Sequence, residues 1–308
     1  MRMKKIVIYS LLVLMVLTGC AGQTAAQPAD LAQAGQLQVL ASLDFLADLT
    51  RQVAGERASV TSLIPAGLDP HAFEPAPQDV ARVAASQVLV INGGGLEAWL
   101  EGVLTNAGGE RLVVTASQGL EPRAAEDADE HPEGDPHFWL DPVLAKTYVA
   151  NIRDGLAKAD PSGAEIFAAN AEAYMRQLDE LDAWIRAKVE TIPPERRLLV
   201  TNHESFGYFA DRYGFTVVGA VVPSVSSSAS PTAQDLAQLI NQIRQSGAPA
   251  VFLESGSNPE MAGQVAAETG AQVVEGLLTH SFGPGAEDYI GMMRWNVNLI
   301  VDALGSGG

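Results

Sequence analysis

Cysteine is nearly absent from this chain: Cys20 is the single one in 308 residues, so no disulfide can form within it. Positive charge is also scarce. Lysine and arginine number 19 against 37 aspartates and glutamates, giving a net charge of −18. Nucleic-acid binders neutralise phosphates with basic patches, so this balance excludes nucleic acid as a partner and favours cations near the surface. The apolar run Ile6–Leu17 covers 12 residues, where a membrane-spanning helix needs about 20. No HExxH helix occurs, and Gly93-Gly94-Gly95 lacks the spacing of a dinucleotide or phosphate loop. The common zinc-peptidase and nucleotide-binding signatures are therefore missing.

What is present begins with an address. Arg2, Lys4 and Lys5 precede the apolar run, which ends in Leu17-Thr18-Gly19-Cys20, a secretory signal of residues 1–20. The cysteine stands where small residues close the run. This pattern resembles a bacterial lipoprotein cleavage box, and it implies that Cys20 becomes the first mature residue and carries lipid. Residues 21–35 are rich in Ala, Gln and Gly without apolar periodicity and read as a flexible tether. A plain cleaved secretion signal is the alternative.

Four of the five histidines stand in polar, turn-like settings spread along the chain: His71 in LDPHAFEP, His137 in DPHFWLDP, His203 in TNHESFGYF and His280 in LLTHSFGP. A proton shuttle needs one or two such groups, whereas a closed shell around a borderline metal ion needs about four donors. The competing readings are a surface-turn histidine for His71 and backbone-bonded core histidines for His137 and His203. Pro70 and Pro75 stiffen the His71 loop, which lowers the cost of organising a metal shell.

Short apolar runs alternate with amphipathic stretches. Strands are expected at Leu37–Ala41, Ser59–Ile64, Val88–Ile91 and Leu112–Thr115, with helices at Pro77–Ala85 and Leu96–Leu104. The second half repeats the style with strands at Leu198–Thr201, Thr216–Val222, Ala250–Glu254 and Gln272–Glu275. Its helices are expected near Ala233–Gln245 and Pro259–Glu268, and another opens after His203 and contains Tyr208 and Phe209. Such alternation predicts an α/β fold of two lobes, each a parallel sheet flanked by helices. Between them Phe167, Ala171, Tyr174, Leu178, Leu181, Ile185 and Val189 recur at spacings of three and four, until Pro193-Pro194 stops the pattern. One long, rigid helix over about Ala164–Glu190 should join a lobe of residues 36–160 to one of 193–308, the linking segment being 161–192. Met292, Met293, Trp295, Ile300 and Val301 suit the core face of a closing helix.

The stretch IPAGLDPHAFEPAPQDVARVAASQVLVINGGGLEAWL, then DPHFWLDP, TNHESFGYFADRYGF and THSFGPGAEDYIGMMRWNVNLIVDAL, resembles the metal-binding lipoproteins of ATP-driven zinc and manganese importers, the cluster A-I solute-binding family. The four blocks cover nearly all of the mature chain. The resemblance implies an extracytoplasmic, lipid-anchored, monomeric receptor with His71, His137, His203 and His280 at the metal. It would capture a divalent ion between its lobes and deliver it to a membrane ABC permease. At the place of His280 the family motif commonly carries an aspartate. Imidazole in place of carboxylate moves preference from manganese towards zinc, so Zn(II) is the expected cargo and Mn(II) the alternative. In a second reading His280 lies beside the site and water or Glu254 completes it.

A four-imidazole shell leaves the dication's charge uncompensated, so carboxylates are expected to accept the imidazole N–H groups. Asp69, Glu74, Asp141, Glu204 and Glu254 are the candidates. The acidic stretch 124–137 contains one extra histidine, His131, and reads as a solvated charge run, although family members that import zinc often carry a metal-collecting loop there. The function classes to weigh against a receptor are a zinc hydrolase, with His71, His137 and His203 as ligands and Glu204 or Glu74 as base, and a receptor for an organic solute.

Overall fold

The computed structural model describes residues 36–125, Asp129 and residues 131–305. The signal, Cys20 and the tether lie outside these residues, as do 126–128 and Glu130 of the acidic loop. The first half runs β1 (Leu37–Ala41), α1 (Asp44–Ala54), β2 (Ala58–Ser62), α2 (Pro77–Ala85), β3 (Val88–Ile91), α3 (Leu100–Ala107), β4 (Leu112–Thr115) and α4 (Pro142–Ala159). The long α5 (Ala164–Val189) follows. The second half runs β5 (Leu198–His203), α6 (Gly207–Tyr213), β6 (Thr216–Val222), α7 (Ala233–Ser246), β7 (Ala250–Glu254), α8 (Glu260–Thr269), β8 (Gln272–Leu277) and α9 (Tyr289–Gly305).

Every paired strand among the described residues is parallel. The first four form a sheet in the order β2-β1-β3-β4, while β5 pairs with β6 and β7 with β8. Burial is most complete in β7, where all five residues are buried, as expected where helices cover the faces of a parallel sheet. The architecture is α/β, with parallel sheets flanked by helices.

The 26 residues of α5 span about 39 Å at 1.5 Å per residue, and its buried residues are the seven of the sequence stripe. It is not a lone rod. Its buried stripe shares one continuous core with α1, α4, α6 and α9, and with Phe252 and Leu277 of β7 and β8. Smaller clusters lie in each half, one around Leu63, Val83 and Leu89, the other around Val221, Leu239 and Val251. Burying whole leucine or phenylalanine side chains contributes roughly 1.5–3 kcal/mol each, so the helical core is what binds the two halves together.

Several expected boundaries move. β2 ends at Ser62 rather than Ile64, and the residues after it enter the turns that lead to His71. Residues 96–99 are turn and α3 starts at Leu100, because Gly93, Gly94 and Gly95 all hold positive φ (86°, 62°, 81°) and delay the helix. β5 extends to His203, and β8 to Leu277. Trp295 is not a core residue: it is 41 % exposed, since the buried face of α9 is Met292, Met293, Asn296, Val297, Ile300 and Leu304. Its indole N–H instead donates to the Gly276 carbonyl at 2.8 Å.

Candidate metal centre

Four elements bring imidazoles to one point. His71 lies in a turn nine residues beyond β2, His137 immediately precedes the short 3-10 turn Phe138–Leu140, His203 is the last residue of β5, and His280 stands three residues beyond β8. Each therefore follows a strand or opens a helical turn, where open α/β sheets place their sites. His137 and His203 are fully buried, His280 is buried and His71 half-buried.

The four Nε2 atoms converge. His71 lies 3.3 Å from His137 and 3.2 Å from His280; His137 lies 3.1 Å from His203 and 3.4 Å from His280. All four donor atoms lie within 4.8 Å of one another. A tetrahedron with Zn–N distances of about 2.0–2.1 Å has edges of roughly 3.3–3.4 Å. Four of the six separations are those of a coordination shell, closer than neighbouring imidazoles need to be for packing alone.

The first two histidines are aimed by the same local device. In Asp69-Pro70-His71 the Asp69 Oδ1 accepts the His71 backbone N–H at 2.9 Å, and in Asp135-Pro136-His137 the Asp135 Oδ1 accepts that of His137, also at 2.9 Å. Proline fixes φ between acceptor and donor, so each turn closes on the carboxylate two residues back. Asp135 Oδ1 also meets the His137 Nδ1 at 2.8 Å, which leaves Nε2 for the centre. Burial pushes Asp135 up to about 7, against the pull of the His137 backbone N–H and of Arg123. Behind it, the Asn92 side chain donates to the Pro136 carbonyl at 3.0 Å and accepts from the Tyr148 hydroxyl at 2.5 Å. Asn92 is held in turn by the buried Glu97, which accepts its backbone N–H at 2.7 Å. A Cβ on Gly94 would stand 3.4 Å from Pro136 Cα and from Phe138 Cε2, so the glycine triplet also permits close approach beneath the His137 turn.

The second pair depends on one remote carboxylate. Glu254, the last residue of β7, places Oε1 2.5 Å from His203 Nδ1, close but not aligned as a hydrogen bond, and Oε2 3.8 Å from His280 Nδ1. The His280 Nδ1 lies 3.0 Å from the Thr279 hydroxyl. Burial presses the His203 imidazole down, yet Glu254, aided by Asp69 and Asp135, raises it above the usual imidazole value. His71, His137 and His280 are held well below that value, by burial first and then by the neighbouring imidazoles. Trp139 walls the site: its ring stacks on Phe45 at 4.6 Å and lies 5.0 Å from His137.

Of the carboxylates singled out in the sequence, Glu254 and Asp69 stand at the centre. Asp141 does not: it caps α4 through the Val143 N–H and pairs with Arg212 at 2.7 Å. Glu74 is exposed, and His131 is not among the four converging donors. Asp135 was missed, although the repeated Asp-Pro-His carried its signal. Ser227, within the serine-rich residues 224–230, carries no local signal; its hydroxyl donates to Asp69 Oδ2 and ties the second half to the His71 turn. A cavity of about 300 Å³ lined by Asp69, Asn202, Ser227, Glu254, His280 and Ser281 opens onto the centre from one side.

The chain is similar to known metal-binding proteins. The family described as "ZnuA: Zinc-uptake complex component A periplasmic" matches residues 39–303. The manganese-binding lipoprotein MntA of Halalkalibacterium halodurans is 36 % identical over 296 residues, 95 % of this chain and 97 % of the relative. Among solved structures, a Mn-bound periplasmic metal-binding protein from Candidatus Liberibacter asiaticus has a TM-score of 0.79 at 28 % identity, with 87 % and 100 % of the chains covered. The periplasmic zinc-binding protein TroA from Treponema pallidum also has a TM-score of 0.79, at 30 % identity and 88 % and 99 % coverage. This chain belongs to the cluster A-I family of metal-binding substrate-binding lipoproteins of ABC importers. It is a receptor component of a metal transporter whose partner is a membrane permease. Among the described residues no helix is long and apolar enough to cross a membrane.

Proposed function

We propose that this protein captures Zn(II) through the Nε2 atoms of His71, His137, His203 and His280 and hands it to its permease from the extracytoplasmic face of the membrane. The observation that carries the reading is the set of Nε2 separations, 3.1–3.4 Å for four of the pairs, formed by nitrogen donors alone. Four imidazoles fill a tetrahedral shell and leave no position for a reacting water, which speaks for capture rather than hydrolysis. An all-nitrogen set suits zinc, whereas manganese prefers carboxylate and water oxygens. Glu254 supports the same assignment by compensating the dication from behind His203 and His280 while contributing no donor to the cluster. In this reading residues 36–160 and 193–308 are two lobes joined by the segment 161–192. Cys20 carries the lipid anchor, the chain works as a monomer, and the metal lies between the lobes.

The manganese reading draws on a relative's name, MntA being described as manganese-binding. The deciding experiment is a competition titration of zinc against manganese with the wild type and His280→Asp. The zinc reading expects tight one-to-one zinc binding, and a relative gain for manganese of at least about tenfold when one imidazole becomes a carboxylate. An unchanged ratio defeats the argument for metal choice. Hydrolytic turnover by the zinc-loaded protein, with an exchangeable metal-bound water, would defeat the receptor reading.

A further inference from the structure

We propose that Asp44 and Asp48, on the first turns of α1, are positioning residues that clamp the His280 segment from the opposite half of the chain and thereby set how firmly the fourth imidazole is held on the metal. The proposal rests on the reading of His280 as a ligand and adds the device that controls it.

His280 is the donor with the least local support. His71 and His137 close Asp-Pro-His turns, and His203 is anchored in the ladder of β5. His280 stands outside β8, at the start of an irregular stretch that reaches α9 at Tyr289. The backbone of that stretch turns on itself at Gly283 and Ala286, so its position must come from what it touches. Two of its tethers reach α1. The Phe282 N–H donates to Asp44 Oδ2 at 3.0 Å, and the Tyr289 N–H, first of α9, donates to Asp48 Oδ2 at 3.0 Å. Both bonds join residues about 240 positions apart in the chain and bracket the segment at its two ends.

The two aspartates are four residues apart, so they lie on one face of α1 one turn apart, matching the stretch they hold. On the other side of His280, the Trp139 indole N–H donates to the Thr279 carbonyl at 2.7 Å, and the Tyr289 hydroxyl donates to the Trp139 carbonyl at 2.6 Å. The fourth ligand is thus gripped by first-half residues before and behind it. Asp44 borders the same small gap as His280 and Ser281, and its Oδ1 is buried without a hydrogen-bond partner. Beyond α1 itself, its described hydrogen bond goes to this backbone. A buried carboxylate left half satisfied is costly, and burial pushes Asp44 up to about 6. The neutral amide of asparagine would keep the acceptor and remove that cost.

The test is a double-mutant cycle on zinc affinity, measured by competition with a chromophoric chelator, using Asp44→Ala and Asp44→Asn, each with and without His280→Ala. Asp44→Ala should weaken zinc about tenfold, the effect of losing one charge-assisted hydrogen bond, and Asp44→Asn should stay within about twofold of wild type. With His280 already replaced, Asp44→Ala should add nothing. The proposal is overturned if Asp44→Ala binds as wild type, if asparagine does not rescue, or if the same loss appears without His280, which would mean a general loosening of the fold. Wild-type affinity in His280→Ala alone would instead remove His280 from the ligand set, a separate failure. Hydrogen exchange on the zinc-loaded wild type reads the clamp without any variant: the Phe282 and Tyr289 amides should be strongly protected, and free exchange at Phe282 would reject it.

Discussion

His71 and His137 reach the metal centre differently from His203 and His280. The first pair carries its own acceptor two residues upstream, in a turn that proline stiffens, so the backbone of each is held by three consecutive residues, and in His137 the same carboxylate also meets the ring Nδ1. The second pair sits at and beyond strand ends and relies on Glu254 from β7, while the His280 segment leans further on α1. One pair begins from a local turn that distant residues such as Ser227 and Asn92 then brace, whereas the other pair is oriented only by distant strands and helices.

The largest expected effect treats the pairs as equals. His137→Ala or His203→Ala should each weaken zinc by well over a hundredfold, since removing a residue that merely orients a ligand already costs about 10–100-fold. Wild-type affinity in a competition titration for either one would strike it from the site. Next comes the variant that separates the pairs. Glu254→Gln should weaken zinc by about 10–100-fold, because it leaves both second-half imidazoles without their anionic neighbour. Asp135→Asn should cost less, on the order of tenfold, because asparagine can still accept the His137 backbone N–H and preserve the turn. If the two variants lose the same amount, the contrast between local and remote support is wrong.

The smallest effect lies in pH. His203 is the one site imidazole raised above its usual value, so a proton competes with the metal there, and zinc affinity should fall as pH drops through that raised value. Glu254→Gln should move the fall to lower pH, which a series of titrations between about pH 5.5 and 8 would read. His71, His137 and His280 are depressed. Their neutral forms contribute stability that is present above pH 6.5 and lost as pH falls below it, while Asp135 and Asp44, raised to about 7 and about 6, gain stability as pH falls through those values; melting of the metal-free protein should therefore respond less favourably to acid in Asp135→Asn than in the wild type. His203 works in the opposite sense, its contribution being complete below 6.5 and lost above, so it leaves the balance below 6.5 unchanged.

Much of the fold was legible along the chain. Strands such as Val88–Ile91 and Thr216–Val222 are short, β-branched and bounded by turn residues, and the α5 stripe repeats at helical spacing over seven buried positions. The boundaries that shifted lie beside turns: the glycine triplet delays α3, and β5 runs on to His203 because β6 offers Val222 as a partner there. Trp295 was misplaced because its row on α9 faces the edge of β8 rather than the core. Among site residues, the four histidines stood out by their polar, turn-rich settings, and Glu254 by ending an apolar strand. Asp135 was recoverable from the repeated Asp-Pro-His. Ser227, Asp44 and Asp48 were not recoverable, since each acts on a partner more than 150 positions away.

The chain by itself determined its secondary structure and the donor chemistry, because strand, helix and turn preferences and the nature of an imidazole nitrogen are properties of a few neighbouring residues. Packing alone decided that four nitrogens separated by as many as 209 positions converge with four of their pairs 3.1–3.4 Å apart, which carboxylate stands behind which ring, and how the last donor is held. Those distances are set by a core shared between the two halves, and no local segment contains both sides of it.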